Sequence, residues 1–328
     1  MELRTTFDIQ PSERKITYAD KVMFIGSCFA SSIGKQFETG HLPVMINPSG
    51  TVYNPISVLR TMDTITGSKK FGVEDIYNNN GTWISFHHYT DFSSENPDEL
   101  LSRINSRSEE AANFIADIEF LFITFGTARV YRQKKTGEIV SNCHKIRASE
   151  FDHELLTVQD IVSAWNLQLD KLKQLYPDLQ VVFTISPVRH WKDGAHGNQV
   201  SKSVLFIAVE ELLNHPANPG YFPAYELLMD DLRDYRFYDD DMLHPSGSAV
   251  NYIWEAFSQC YFENATRNLW NEISGISKAV SHKIRKSSGE AIRKFAEKSL
   301  EKIQSINSRF PGISLETEKD YFLTLLEK

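Results

Sequence analysis

Cysteine is scarce in this chain: Cys28, Cys143 and Cys260 are the full set, and no two stand in a Cys-x-x-Cys pair. A disulfide scaffold is therefore not expected, and a reducing compartment suits the chain better. Long apolar runs are missing too; none approaches the roughly 20 residues needed to cross a bilayer, so no membrane-spanning helix is expected. The opening residues, Met1-Glu-Leu-Arg-Thr-Thr-Phe-Asp8, lack the apolar core of a signal peptide, which points to a cytoplasmic protein. Positive charge is not in excess, since 35 Lys and Arg stand against 43 Asp and Glu for a formal net charge of -8. Nothing in that balance favours nucleic acid or an anionic membrane as a partner. The sequence also contains no G-x-G-x-x-G, P-loop, H-E-x-x-H or G-x-S-x-G, which lowers the case for Rossmann oxidoreductases, P-loop hydrolases and ordinary α/β-hydrolases. His144, His190, His196 and His244 are scattered without ligand spacing, so neither a metal nor a cofactor is expected.

What the chain does have is enough apolar residue to fold: 328 residues, 41% hydrophobic and 12% aromatic, fit a globular enzyme-sized protein. Three short apolar runs stand out, Val22-Met-Phe-Ile25, Phe120-Leu-Phe-Ile123 and Val181-Val-Phe-Thr-Ile185, each ending in small or turn-forming residues. Runs without polar alternation read as strands buried on both faces, as in a parallel sheet between helices. Helices are expected at 28–37 (Phe29, Ile33, Phe37 on one face), at 158–175 (Ile161, Trp165, Leu169, Leu172) and around 201–213. Ser246 reads as the N-cap of a further helix that turns Val250, Ile253, Trp254 and Phe257 inward. Strands alternating with helices imply an open, doubly wound α/β layer, whose ligands sit outside the carboxyl ends of the strands.

Two segments stand apart from that core. Residues 67–109, rich in Asn, Ser, Thr and aromatics, read as a loop-rich insertion with a hairpin near Asn80-Gly81. Residues 264–328 read as a helical extension packed on a domain spanning 1–263. That extension is locally basic (Lys278, Lys283, Arg285, Lys286, Arg293, Lys294, Lys298, Lys302). The basic stretch reads as a solvated helix face or as a surface for an anionic partner or for oligomerisation.

The chemistry-bearing residues are a serine directly after the first apolar run, Ile25-Gly-Ser27-Cys-Phe-Ala30, and the block Asp241-Met-Leu-His244-Pro245. A serine at a strand-to-helix junction presents its hydroxyl at the sheet edge, where the first helical N–H groups also point. It becomes nucleophilic when a histidine within about 3 Å takes its proton and a carboxylate fixes the imidazole. Ser27, His244 and Asp241 are the candidates, with Asp239 and Asp240 as alternative carboxylates. A serine in this place also serves as an N-cap, and Cys28 reads as a small buried hydrophobe rather than as a thiol nucleophile. His144, Arg189 and His190 fall in loops near the expected sheet edge, where they contact substrate or make internal hydrogen bonds and salt bridges.

Gly26-Ser-Cys-Phe-Ala30 resembles the signature of the GSCFA domain family, a branch of the SGNH (GDSL-like) hydrolases, and Asp241-x-x-His244-Pro245 is similar to the terminal catalytic block of that superfamily. The likeness covers most of residues 1–262, including Asn47-Pro-Ser-Gly-Thr-Val-Tyr-Asn-Pro55, Thr124-Phe-Gly-Thr-Ala128, Asn142-Cys-His-Lys145 and Ser186-Pro-Val-Arg-His190. The resemblance implies a three-layer α/β/α fold with a mostly parallel, flavodoxin-like sheet. It also implies ester or acyl-transfer chemistry on acylated small molecules, carbohydrates or lipids. For the oxyanion it implies the Ser27 N–H, a glycine N–H that Gly50 would supply, and an asparagine from a Gly-x-Asn. Gly126-Thr127-Ala128 has alanine at that asparagine's place, leaving Thr127 or Asn142 as substitute donors. Two functions follow, an esterase or acyltransferase, and a ligand-binding module on a degenerate SGNH fold.

Overall fold

The apolar run at Val22 is buried on both sides because it lies inside a sheet. A computed structural model describes residues 4–67, 69–281 and 289–327. Its strands are β1 (Lys21–Gly26), β2 (Val44–Ile46), β3 (Tyr77–Asn79), β4 (Thr82–Ile84), β5 (Ile118–Phe125), β6 (Arg129–Gln133), β7 (Ile139–Val140), β8 (Phe151–Leu155), β9 (Gln180–Ile185) and β10 (Gly220–Tyr221). The helices are α1 (Cys28–Thr39), α2 (Pro55–Gly67), α3 (Pro97–Ile115), α4 (Val158–Leu175), α5 (Gly194–Leu212), α6 (Ala224–Glu226), α7 (Gly247–Tyr261), α8 (Asn264–Ser281), α9 (Gly289–Arg309) and α10 (Glu316–Leu326).

The three apolar runs are β1, β5 and β9, the middle of a five-stranded sheet ordered β10-β9-β5-β1-β2 in which every adjacent pair is parallel. Side chains alternate across the pleat. Met23, Ile25, Leu121, Ile123 and Phe183 pack against α2, α4 and α5 through Met62, Trp165 and Leu205. Val22, Phe24, Phe120 and Phe122 pack against α1 and α7 through Phe37 and Phe257. The result is the expected three-layer α/β/α arrangement. Numbered along the chain within this sheet, the strand order is 2-1-3-4-5, the doubly wound flavodoxin-like order. Helix α1 leaves β1 over one face, whereas α4 leaves β5 over the other. That reversal opens a crevice at the carboxyl ends of β1 and β5.

The expected hairpin forms as β3 and β4, turning at Asn80 (φ 55°) and Gly81 (φ 92°), the positive pair a two-residue turn needs. The rest of the 67–109 segment is less loop-like than its composition implies, because α3 begins at Pro97. Asn96 caps it by accepting from the N–H of Asp98 and Glu99, and Leu100, Ile104, Ala111 and Ile115 bury one face. Polar residues on the outer face of this amphipathic helix masked it. Helix α5 likewise starts at Gly194 rather than near Ser201. A small antiparallel sheet, β7-β6-β8, has no counterpart among the expected elements.

Helices α8, α9 and α10 share their own core, with Ile273, Ile303, Ile306, Leu315 and Phe322. Trp270 ties them to α1: its indole Nε1 donates to Gln36 O at 2.7 Å. The indole also fills the space where a Cβ on Gly40 would stand. Of the basic residues in this stretch, Lys283, Arg285 and Lys286 lie outside the described residues, while Arg293 pairs with Glu297. Among the described residues no helix is long and apolar enough to cross a membrane.

Candidate active site

Ser27 stands where β1 ends and α1 begins, at the crevice just described. It is 1% exposed. Its hydroxyl accepts from the Phe29 N–H at 3.3 Å, so in this state it caps α1. Its neighbours explain the rest of the pentapeptide. Gly26 has φ 143°, and a Cβ there would lie 2.1 Å from Thr124 O, so no other residue fits beside β5. Phe29 and Ala30 are buried in the core beneath α1. Burial raises the Cys28 thiol pKa above its ordinary value, which disfavours the thiolate a cysteine nucleophile needs. The side chain of Asn47 braces the junction: its Oδ1 accepts from the Gly26 N–H at 2.8 Å and its Nδ2 donates to Ser31 Oγ at 2.8 Å.

The second half of the site is a turn ahead of α7. Asp241 Oδ2 lies 2.6 Å from His244 Nδ1, and Asp241 Oδ1 accepts from the N–H groups of Leu243 and His244, both at 2.9 Å. A separation of three positions from Asp to His suffices because Met242 takes φ 58° and tightens the turn. The backbone N–H of His244 and then its imidazole hold the Asp241 carboxyl down to about 2, with the Leu243 N–H adding to them. Of the three consecutive aspartates, Asp241 is therefore the one that orients the histidine.

Long-range electrostatics connect the two halves. The Cys28 thiol, raised first by burial, also responds to the Asp241 carboxylate. His190 responds to His244, and a Cβ built on Gly126 would lie 3.1 Å from His190 Nε2 and 3.5 Å from Ser27 Cβ. Ser27 Oγ and His244 are not hydrogen-bonded to each other; the serine hydroxyl is turned toward α1, and the Asp241–His244 pair is half-exposed. The approach to about 3 Å that the sequence suggests is thus not made in this state, as is common before a substrate closes a site.

The candidate oxyanion donors are engaged within the fold. The Ser27 N–H donates to Thr124 O at 3.2 Å and the Gly50 N–H to Asn47 O at 2.8 Å. The N–H groups of Gly126 and Thr127 both donate to Tyr53 O, at 2.7 and 3.0 Å. The Thr127 hydroxyl is buried against Ser201 Oγ at 2.9 Å, and Asn142 Nδ2 donates to Thr90 Oγ1 at 3.2 Å.

Of the candidate contact residues, His144 is buried with its Nε2 2.8 Å from Ser85 O, bracing the loop that carries the hairpin. His190 borders Ser27 across Gly126 and packs edge-on against Tyr53. Its imidazole is held down to about 4, mainly by burial and then by Lys202 and His244, so it is neutral near pH 7. Arg189 has a buried Nε without a hydrogen-bond partner and lies over the Trp191 ring at 5.8 Å. No group of three or more metal-ligating side chains occurs among the described residues.

One residue escaped the sequence. Lys202 is fully buried, and its ammonium donates to Gly126 O at 2.7 Å and Ser186 O at 2.6 Å. It thereby ties the loop after β5 to the loop after β9, beneath Ser27 and His190. No carboxylate pairs with it among the described residues, and burial lowers it to about 7. The available signal was a lysine three residues before Leu205 and seven before Val209, on the inward stripe of α5.

The GSCFA family matches residues 21–257, and the family described as GSCFA domain protein, C-terminal domain, matches residues 273–328. No curated protein matches the chain. Among solved structures, a carbohydrate esterase family 3 protein from Talaromyces cellulolyticus is 8% identical, with a TM-score of 0.35 over 78% of this chain and 99% of that one.

Proposed function

This chain belongs to the GSCFA family, and from that premise we propose that it is a serine hydrolase or acyltransferase of the SGNH type acting on an acyl ester. The reading rests on one observation: a serine at the β1/β5 switch point in a fold that also carries a hydrogen-bonded Asp241–His244 pair on the turn ahead of α7. In the proposed reaction the Ser27 side chain rotates away from the Phe29 N–H, and His244 Nε2 takes the hydroxyl proton as Oγ attacks the acyl carbonyl. The tetrahedral intermediate collapses, and the leaving alcohol receives that proton from His244. Water or an acceptor hydroxyl then attacks the acyl-enzyme by the same route in reverse. Asp241 keeps the imidazole in the tautomer with its proton on Nδ1. The substrate class is an acylated small molecule, glycan or lipid; no cofactor takes part and no nucleic acid is bound.

One observation favours a second reading, a ligand-binding module without turnover: the N–H groups of Ser27, Gly50, Gly126 and Thr127 are already engaged inside the fold. A fluorophosphonate probe separates the two. Labelling of the intact protein that disappears in Ser27→Ala is the expected result, with hydrolysis of a responsive ester falling at least about 10³-fold in the same variant. Absence of labelling across pH 6–9 would favour the binder.

A further inference from the structure

Beside the dyad, on the outer side of the turn that carries it, lies a cleft of about 510 Å³ bordered by Arg189, Trp191, Arg233, Tyr235, Tyr238 and Asp241. The turn is built to place these residues together. The backbone of Tyr238 bridges to Pro245 and the Asp239 N–H donates to His244 O, so the segment that holds the dyad also forms the cleft wall. Trp191 and Tyr235 are 53% and 76% exposed, large ring surfaces left open on a cavity of mixed polar and apolar lining. Such rings hold a ligand ring by its face, while a few fixed polar groups set its orientation.

The cleft is bordered by two arginines, Arg189 and Arg233, and two aspartates, Asp234 and Asp241, and both aspartates are already engaged. Asp241 is held by His244, and Asp234 is engaged by Arg236, through its backbone N–H at 3.0 Å and its Nε at 3.4 Å. Arg189 pairs with no carboxylate among the described residues, and its buried Nε has no hydrogen-bond partner. Among the described residues Arg233 pairs with Asp230, at 3.5 Å on the surface. Asp239 and Asp240 belong to the same turn but do not border the cavity. Lys202 lies within electrostatic reach of Arg189, whose charge adds to burial in lowering the lysine. A buried guanidinium nitrogen without an acceptor is costly unless a ligand supplies one. A guanidinium also matches the two oxygens of a carboxylate or phosphate.

We propose that this cleft binds the anionic part of the substrate, so that the ester acted on belongs to a negatively charged, ring-containing molecule such as an acylated acidic sugar or sugar phosphate. The anion meets Arg189, with Arg233 at the rim, and the ring lies on Trp191 and Tyr235. The proposal rests on Ser27, His244 and Asp241 forming the reactive centre.

The test is calorimetric binding to Ser27→Ala of three probes: an O-acetylated methyl glucuronoside, an O-acetylated methyl glucoside and an O-acetylated glucose 6-phosphate. An anionic probe is expected to bind about tenfold or more tighter than the neutral one, the worth of one charge-assisted contact. The preference should vanish when Arg189→Gln is added and shrink as salt is raised. Whichever of the carboxylate and phosphate probes shows it identifies the anion. Trp191→Ala, a change at an exposed ring, should weaken all three probes alike. Equal affinity for charged and neutral probes, a preference that survives Arg189→Gln, or no binding of any probe overturns the proposal. Fluorophosphonate labelling of Arg189→Gln with Ser27 intact is read alongside. Arg189→Gln is expected to label still; labelling of the unaltered protein combined with equal affinity for charged and neutral probes in Ser27→Ala sinks the cleft assignment alone, while anion preference without labelling in the unaltered protein sinks the serine mechanism alone.

Discussion

Glycine at position 26 shows how narrowly the nucleophile's position is set. Its φ of 143° and the 2.1 Å approach a Cβ would make to Thr124 O leave no room for alanine. Gly26→Ala is expected to cost about 3 kcal/mol or more, combining backbone strain with overpacking against β5. Urea denaturation checks this, and a loss below about 1 kcal/mol would mean that β1 and β5 separate more easily than their register suggests. The residue before the serine is thus fixed by the sheet and not by chemistry, and the same holds for Phe29 and Ala30, whose side chains belong to the core. Within the pentapeptide, only Ser27 and Cys28 are free of a packing requirement strong enough to explain them, and the raised thiol leaves Ser27 as the reactive candidate.

At the scale of elements, α1 is the connecting piece. Its first turn is capped by Ser27, and its last carbonyls receive the indole N–H of Trp270 from α8. Trp270 also packs on Trp254 with ring centroids 4.9 Å apart, so it closes the core formed by α1 and α7. Trp270→Ala is expected to lower stability by about 3–5 kcal/mol, the range for deleting a buried aromatic. Near-unchanged thermal unfolding would indicate that α8 is held by its contacts with α9 and α10 alone. A slower fluorophosphonate reaction in the same variant would show that the strain of losing this anchor travels along α1 to its cap.

For the whole molecule, Lys202 sets a pH dependence that no surface group would give. Burial lowers its pKa to about 7 from an ordinary value of 10.5. Between those two pH values the unfolded chain carries a proton that the folded chain has released, so stability rises with pH across that window. Below about 7 both states are protonated and the cost of burying the charge is constant. The slope contributed is at most about 1.4 kcal/mol per pH unit. In Lys202→Met this alkaline gain should disappear, while Gly126 O and Ser186 O lose their donor at a cost of about 1–3 kcal/mol near neutral pH. Thermal unfolding from pH 6 to 10 on both proteins makes the comparison. A wild-type curve that is flat or falls between 7 and 9 would show that the ammonium finds water or another partner in solution.

Much of this was legible along the chain, and for definite reasons. Strands buried on both faces announce themselves as unbroken apolar runs, so β1, β5 and β9 could be placed from residues alone. Amphipathic spacing placed α4 over its full length, and Ser246 was readable as the cap of α7 because capping is a local contact. Asp241 and His244 meet within a single turn, so their pairing too is a local event that spacing can disclose. Long-range placement is different. Which backbone donors are engaged, such as the Gly126 and Thr127 N–H groups on Tyr53 O, depends on loops that the sheet brings together from distant positions. The burial of Lys202 depends on α5 covering two strand ends at once, and the unpartnered Nε of Arg189 depends on nearby carboxylates having found partners elsewhere. Local hydrogen bonds and periodic burial are encoded residue by residue; the electrostatics of a site are a sum over everything the fold gathers around it, and only the tertiary structure carries out that sum.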